Sequence, residues 1–228
     1  MKLANETYAA AGRPFIKLGV EIASSIMQTL KAGWDLARES PDLHAGKSEV
    51  ELTEQLRDAM RSVLNSGRFP WGNTMTVLTG SESRSKEGML KPDGLTDIPL
   101  LLMEIRVRYG EHDPHAIIEC KRISGTNTRL CREYVNEGIN RFKTGKYASN
   151  HSNGFMAGYV IAGDSTAAAR GINSQLTKQS RRGENLARAD RDPSPWLWRS
   201  QHSRQTSSPI RLHHGLFCVR PVDLKCDD

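Results

Sequence analysis

Asp97, Glu119 and Lys121 are the residues whose types and spacing could do chemistry together. They lie in KPDGLTDIPLLLMEIRVRYGEHDPHAIIECKRI, Lys91 to Ile123, where apolar runs from Leu95 to Val107 and from Ala116 to Ile123 flank the polar RYGEHDP. That order predicts a β-hairpin. Period-two alternation in the second strand puts Ile117, Glu119 and Lys121 on one face and Ile118 and Cys120 on the other. The surrounding run is of the continuous apolar kind found in strands buried on both faces, so a carboxylate at 119 needs a partner. Asp97, near the start of the first strand, supplies a second carboxylate where the register brings it level with Glu119. Two such acids at close range stay ionised together only with a cation between them. Hard oxygen donors with open positions suit Mg²⁺ or Mn²⁺.

Asp97 followed by Glu119-Cys120-Lys121 resembles the signature of the PD-(D/E)xK, or restriction-endonuclease-like, nuclease superfamily, with Thr96 in the place of the usual proline. The resemblance spans about Glu49 to Gly163: an acidic amphipathic helix, the hairpin, a helix carrying Tyr134 and Arg141, and the strand GFMAGYVIAG. It implies an α/β fold with a mixed central β-sheet flanked by helices. It also implies metal-dependent hydrolysis of phosphodiesters, in DNA sooner than RNA, as in restriction or anti-phage defence. Asp97 and Glu119 would hold the metal, the backbone carbonyl of Cys120 would be a further ligand, and Lys121 would position or help deprotonate the attacking water. The run YVNEGINRFKTGKYA resembles the segment after the ExK motif in such enzymes, where a polar side chain supports the lysine or contacts phosphate. Arg141 and Tyr134 are the matching residues, against the plainer readings of a surface charge and a core aromatic.

The elements that must position these residues are partly legible. A helix is predicted from about Lys47 to Leu64, with Ser48 as N-cap and Glu51 three residues on, a capping box. Its apolar face is Leu52, Leu56, Met60 and Val63, and stepping back three from Leu52 puts Glu49 on that inward face while Glu51 and Glu54 point away. Related nucleases often carry a glutamate there that joins the metal site; the alternative for Glu49 is helix-dipole stabilisation. Upstream, apolar residues at Phe15, Gly19, Ile22, Ile26, Leu30, Trp34 and Ala37 have helical spacing from Phe15 to Ala37, with Pro14 at the start and Pro41 as the stop. This N-terminal helix either covers a sheet face or offers its stripe to a second subunit, as in a homodimer, or to a partner protein of a defence complex. Met75 to Leu78 suits a short strand, Asn127 to Lys143 a helix with Gly138 in close packing, and Gly154 to Gly163 a buried central strand. Asp164 and Ser165 cap a further helix, and Ile210 to Val219 is expected to be a final hairpin.

These elements give residues 1–46 as a helical extension and 47–228 as the nuclease-like domain. Within it Gln179 to Pro209, polar, basic and rich in Ser and Pro, is expected to be a flexible loop. Arg181, Arg182, Arg199 and Arg204 are its candidate phosphate contacts. Trp196 and Trp198 could stack on bases or pin the loop to the domain. His202, His213 and His214 show no metal spacing and are expected to support other groups or lie at the surface.

The 228 residues carry a net charge of +6, unevenly placed. Residues 1–119 hold 14 Lys and Arg against 17 Asp and Glu, net −3, and residues 120–228 hold 18 against 9, net +9, so the second half suits a polyanion. Four cysteines without CxxC spacing suggest reduced thiols, neither a zinc site nor disulfides. No stretch has the length of a membrane span, and MKLANETYAA lacks a signal peptide's apolar centre, from which a cytoplasmic protein is expected. A small-molecule hydrolase finds no GxSxG, HExxH or Gly-rich phosphate loop. A non-catalytic nucleic-acid-binding or assembly subunit that keeps a nuclease-like core is the other function class.

Overall fold

The computed structural model describes residues 17–80, 82–83, 94–109, 114–188, 194–205 and 208–221. The helices are α1 (Val20–Ala37), α2 (Glu49–Asn65), α3 (Met103–Tyr109), α4 (Thr128–Glu133), α5 (Asn140–Lys143) and α6 (Ser165–Lys178), with a π-helical turn, Tyr134–Ile139, joining α4 to α5. The strands are β1 (Met75–Val77), β2 (Glu82–Ser83), β3 (Gly94–Leu95), β4 (Ile98–Leu102), β5 (Ala116–Ser124), β6 (Asn153–Ala162), β7 (Ala187–Arg188), β8 (Leu197–His202) and β9 (Ile210–Cys218). Seven of them form one mixed sheet in the order β1-β4-β5-β6-β9-β8-β7, while β2 and β3 pair separately. The contacts of β5 with β6 and of β6 with β9 are parallel and the others antiparallel. This is the expected α/β fold with a mixed sheet between helices. Among the described residues no helix is long and apolar enough to cross a membrane.

Alternation along the central strands feeds two cores. Ile118, Cys120, Phe155, Ala157 and Tyr159 pack with α1 and α2, whereas Ile117, Ile123, Met156 and Val160 pack with α4, the π turn and α6. Both β5 and β6 are thus buried on both faces, as their continuous apolar runs predict. Helix α1 covers a sheet face, with Trp34 stacked between Tyr159 and Phe217 at centroid distances of 5.8 and 5.2 Å. It begins at Val20 with Gly19 as N-cap; the expected start at Pro14 and Phe15 lies outside the described residues. Helix α2 has the capping box, Ser48 accepting from the Glu51 amide and Glu51 from the Ser48 amide.

Three expectations are corrected. The run Leu95 to Val107 is not one strand: β4 ends at Leu102 and α3 follows. Its neighbours stop there, since β1 pairs as far as Met75 opposite Leu102 and β5 starts at Ala116 opposite Leu100. A backbone without a partner strand satisfies its hydrogen bonds most simply as a helix. Here Ile105 is buried while Met103 and Val107 are exposed. The final hairpin within Ile210 to Val219 is a single strand, β9, and the hairpin lies between β8 and β9. The segment from Gln179 to Pro209 is not simply a flexible loop, because it contributes β8 and β7 to the sheet. Trp198 is buried and Trp196 stacks on Phe217 at 5.7 Å, so both tryptophans pin this segment to the domain.

Candidate active site

The antiparallel register Ile98↔Ile118 places Asp97 next to Glu119, as the site requires. Strand β4 begins one residue later, which leaves the Cys120 amide to the Asp97 side chain: Cys120 N donates to Asp97 Oδ2 at 2.7 Å. Glu119 is fully buried, and its Oε1 faces two cations, Lys121 Nζ at 3.0 Å and the Arg141 guanidinium at 2.5 Å. Its other oxygen, Oε2, is buried with no hydrogen-bond partner among the described residues. Lys121 Nζ also donates to Glu49 Oε1 at 2.7 Å and to the Cys120 carbonyl at 2.8 Å. Its three donors therefore meet three oxygens. The second oxygen of Glu49 accepts from the Arg122 amide at 2.9 Å.

Each contact follows from local structure. The capping box fixes where α2 starts, and its phase aims Glu49 at the end of β5 while Glu51 is spent on Ser48 and Lys47. The π turn sits where the helix passes β5. At Gly138 an added Cβ would fall 2.5 Å from Met156 Cε, so the end of that side chain would have to move aside, and 3.6 Å from Lys121 Cγ, an ordinary contact. One residue beyond that turn's C-cap, Arg141 reaches Glu119; its guanidinium also donates to the Tyr147 hydroxyl at 3.0 Å and lies over the Tyr147 ring at 5.4 Å.

The electrostatics are those of two carboxylates sharing a dry site. Burial raises the Asp97 carboxyl above its ordinary range, with Lys121 and the Cys120 amide pulling the other way. Burial, and then the charge of Asp97, push Glu119 up to about 8. Burial alone would lower Lys121, but Glu119, Glu49 and Asp97 outweigh it and hold the ammonium above its ordinary value. At neutral pH the metal-free pair therefore keeps a proton.

A divalent cation fits here on two observations: an orphaned buried carboxylate oxygen at Glu119, and a neighbouring acid whose charge opposes ionisation. Among the described residues no group of three or more His, Cys, Asp or Glu side chains could hold a metal. The protein donors to such a cation would be the carboxylates of Asp97 and Glu119, with the Cys120 carbonyl, which accepts from Lys121, as the neighbouring main-chain oxygen. A small hard cation that keeps several waters tolerates so few protein ligands. Glu49 reaches the site, but both its oxygens are committed to Lys121 and the Arg122 amide.

The structure thus brings together Asp97, Glu119, Lys121, Glu49 and Arg141. Tyr134 is fully buried and its hydroxyl bonds to His214 Nδ1 at 3.0 Å, the core reading for that residue. The four arginines of the basic segment do not converge. Arg181 bonds Asn140 Oδ1 at 2.7 Å and Glu184 at 2.6 Å, and Arg182 is exposed on the turn Arg182–Glu184. Arg204 donates to the carbonyls of Ala148 and Ser149, each at 2.9 Å, and burial lowers it to about 10. Arg199 lies on β8, on the α1 face of the sheet. Arg181 and Lys143 do line a cleft of about 380 Å³ beside Asn140, the neighbour of Arg141.

Two features escape sequence reasoning. Tyr147 stands beside Arg141 and Glu119, and its only local signal is the break after α5 at Gly145, whose φ is +77°. The histidines His202 and His214 are not at the surface but buried in a chain from Tyr134 through His214, Ser200 and His202 to Glu184, with links of 2.6 to 3.0 Å. Of the cysteines, Cys120 and Cys131 are buried thiols, Cys218 is exposed, and Cys226 lies outside the described residues.

Comparison with family models, with curated proteins and with solved structures finds no match. The functional reading rests on the site's own geometry.

Proposed function

We propose that this chain is a metal-dependent nuclease that hydrolyses phosphodiester bonds, with DNA as its substrate. The observation that carries the reading is the unpartnered, buried Oε2 of Glu119 beside Asp97, with Lys121 held by three oxygens at the same point. Asp97 and Glu119 would hold Mg²⁺ or Mn²⁺, which polarises a phosphoryl oxygen and makes a bound water more acidic. Lys121, charged and fixed by Glu49, donates to the developing negative charge; the charges of Glu119, Glu49 and Asp97 favour that role over a base. Exchange of its Glu119 contact for a phosphoryl oxygen keeps all three ammonium donors satisfied. Arg141, about a quarter exposed, reaches from Glu119 toward solvent and can pair with an adjacent phosphate. The net +9 of residues 120–228 supplies the long-range attraction for a polyanion.

The test has two parts. Mg²⁺ or Mn²⁺ should raise the melting temperature of the wild type and leave that of Glu119→Ala unchanged. Supercoiled plasmid, linear duplex, single strands and RNA, each with metal and with EDTA, should then show which polymer is cut. Binding of nucleic acid without cleavage of any of them would select the non-catalytic subunit instead.

A further inference from the structure

On the opposite face of the sheet from Glu119, the β8–β9 ladder and the first turns of α1 enclose a cavity of about 570 Å³, within the size range of small-ligand sites. Register explains its chemistry. Arg199 pairs with His213 and Gln201 with Arg211, so these four side chains share one face, while Ser200, His202 and His214 alternate onto the other. Lys17 adds a third cation at the rim, and among the described residues no carboxylate lines the cavity. Among the described residues neither Arg199 nor Arg211 has a salt-bridge partner, and Arg199 Nε is buried without a hydrogen bond. The His213 imidazole bonds Asn153 Oδ1 at 2.9 Å and stacks on Phe155. Burial, and then the charges of Arg199 and Arg211, push it down to about 3.

The remaining wall is largely apolar, with Ser24, Gln28, Ser152 and Asn153 as its uncharged polar members. Met27 forms part of it, Val20 stands 78% exposed at the mouth, and Trp196 presents an indole already stacked on Phe217. A bare inorganic anion would leave these surfaces unused, and a neutral apolar ligand would leave two guanidiniums without a partner. We infer that this cavity binds a nucleoside phosphate, its phosphate on Arg199 and Arg211, its base against Trp196 and Met27, and its polar edge at the Gln201 amide. The site is separate from Asp97, Glu119 and Lys121 and stands or falls without the hydrolytic reading.

The experiment is calorimetric titration of the full chain in EDTA with adenosine 5′-monophosphate, adenosine, inorganic phosphate and a short 5′-phosphorylated oligonucleotide. The monophosphate should bind more tightly than adenosine or phosphate by about tenfold or more, since each lacks one half of the contacts. Tighter binding of the monophosphate than of the oligonucleotide assigns a free nucleotide; tighter oligonucleotide binding that is lost in Ser24→Trp and depends on the 5′-phosphate assigns the end of a strand. Arg199→Gln with Arg211→Gln should weaken binding by about tenfold or more per guanidinium. Ser24→Trp, a change at an exposed α1 position lining the mouth, should block binding while leaving the ladder intact. Glu119→Gln should bind as the wild type does. No binding of either phosphorylated probe, equal affinity for phosphate alone, survival of binding in both the Arg and the Trp variants, or its loss in Glu119→Gln would each overturn the inference.

Discussion

Replacing Glu119 by Gln should remove a pH dependence that the metal-free wild type carries. Glu119 is lifted from an ordinary 4.5 to about 8 by burial and by Asp97. Between those values the folded chain binds a proton that the unfolded chain has released, so the contribution of Glu119 to stability is full below about pH 4.5 and declines as pH rises through 8. At about 1.4 kcal/mol for each pH step of one across this window, the loss between pH 6 and pH 8 is about 2 kcal/mol, approaching 5 kcal/mol over the whole window. Gln keeps the shape of the side chain without the titration. The assay is urea unfolding in EDTA at pH 6, 7 and 8, followed by the fluorescence of the four tryptophans. The stability of the wild type relative to Glu119→Gln should fall by about 2 kcal/mol from pH 6 to pH 8. Saturating Mg²⁺ should cancel the fall, since a cation between the acids favours both ionised forms. Parallel pH curves for the two proteins would refute the reasoning, because they would mean that Glu119 titrates as it does in the unfolded chain.

Three further outcomes are expected. Glu49→Gln should lower kcat by loosening Lys121, whereas Glu51→Gln should cost only part of the α2 cap and leave kcat unchanged; steady-state kinetics with thermal melts separates the two. Gly138→Ala puts a methyl where the flexible end of the buried Met156 side chain lies, so denaturant unfolding should show a loss of about 1 kcal/mol, the low end of overpacking. Burial lowers His202 to about 4, His213 to about 3 and His214 well below its ordinary value, so the unfolded chain takes up protons that the fold refuses. The histidines' contribution to stability should be full above about pH 6.5 and fall steadily toward pH 3; in the Glu119→Gln protein, where the opposing carboxyl titration is gone, a melting temperature that stays flat from pH 7 to pH 4 would count against these buried histidines.

What was legible in the sequence was what depends on neighbours in the chain. Alternation through Ile117, Glu119 and Lys121, and the phase of α2 from Ser48 and Glu51, placed Glu49, Glu119 and Lys121 within one site. Asp97 followed because a hairpin that pairs Ile98 with Ile118 leaves little freedom in register. The end of β4 was not legible, since it depends on where β1 and β5 stop and not on Met103, Ile105 and Val107, which alternate like a strand. Strand β8 was hidden for a related reason. Ser200 and His202 read as loop residues until His214 and Glu184, distant in sequence, supply the hydrogen bonds that allow them to be buried. The contact of Arg141 with Glu119 likewise depends on the π turn, whose extra residue per turn leaves no apolar periodicity to read.

The central claim is tested most directly by incubating supercoiled plasmid with the wild type and with Glu119→Gln in Mg²⁺ or Mn²⁺, and measuring nicked and linear product beside DNA affinity in EDTA. The account predicts metal-dependent cleavage by the wild type, none in EDTA, and background cleavage by a Glu119→Gln protein that binds DNA as tightly. Cleavage by Glu119→Gln at the wild-type rate, or cleavage by the wild type that persists undiminished in EDTA, would contradict it.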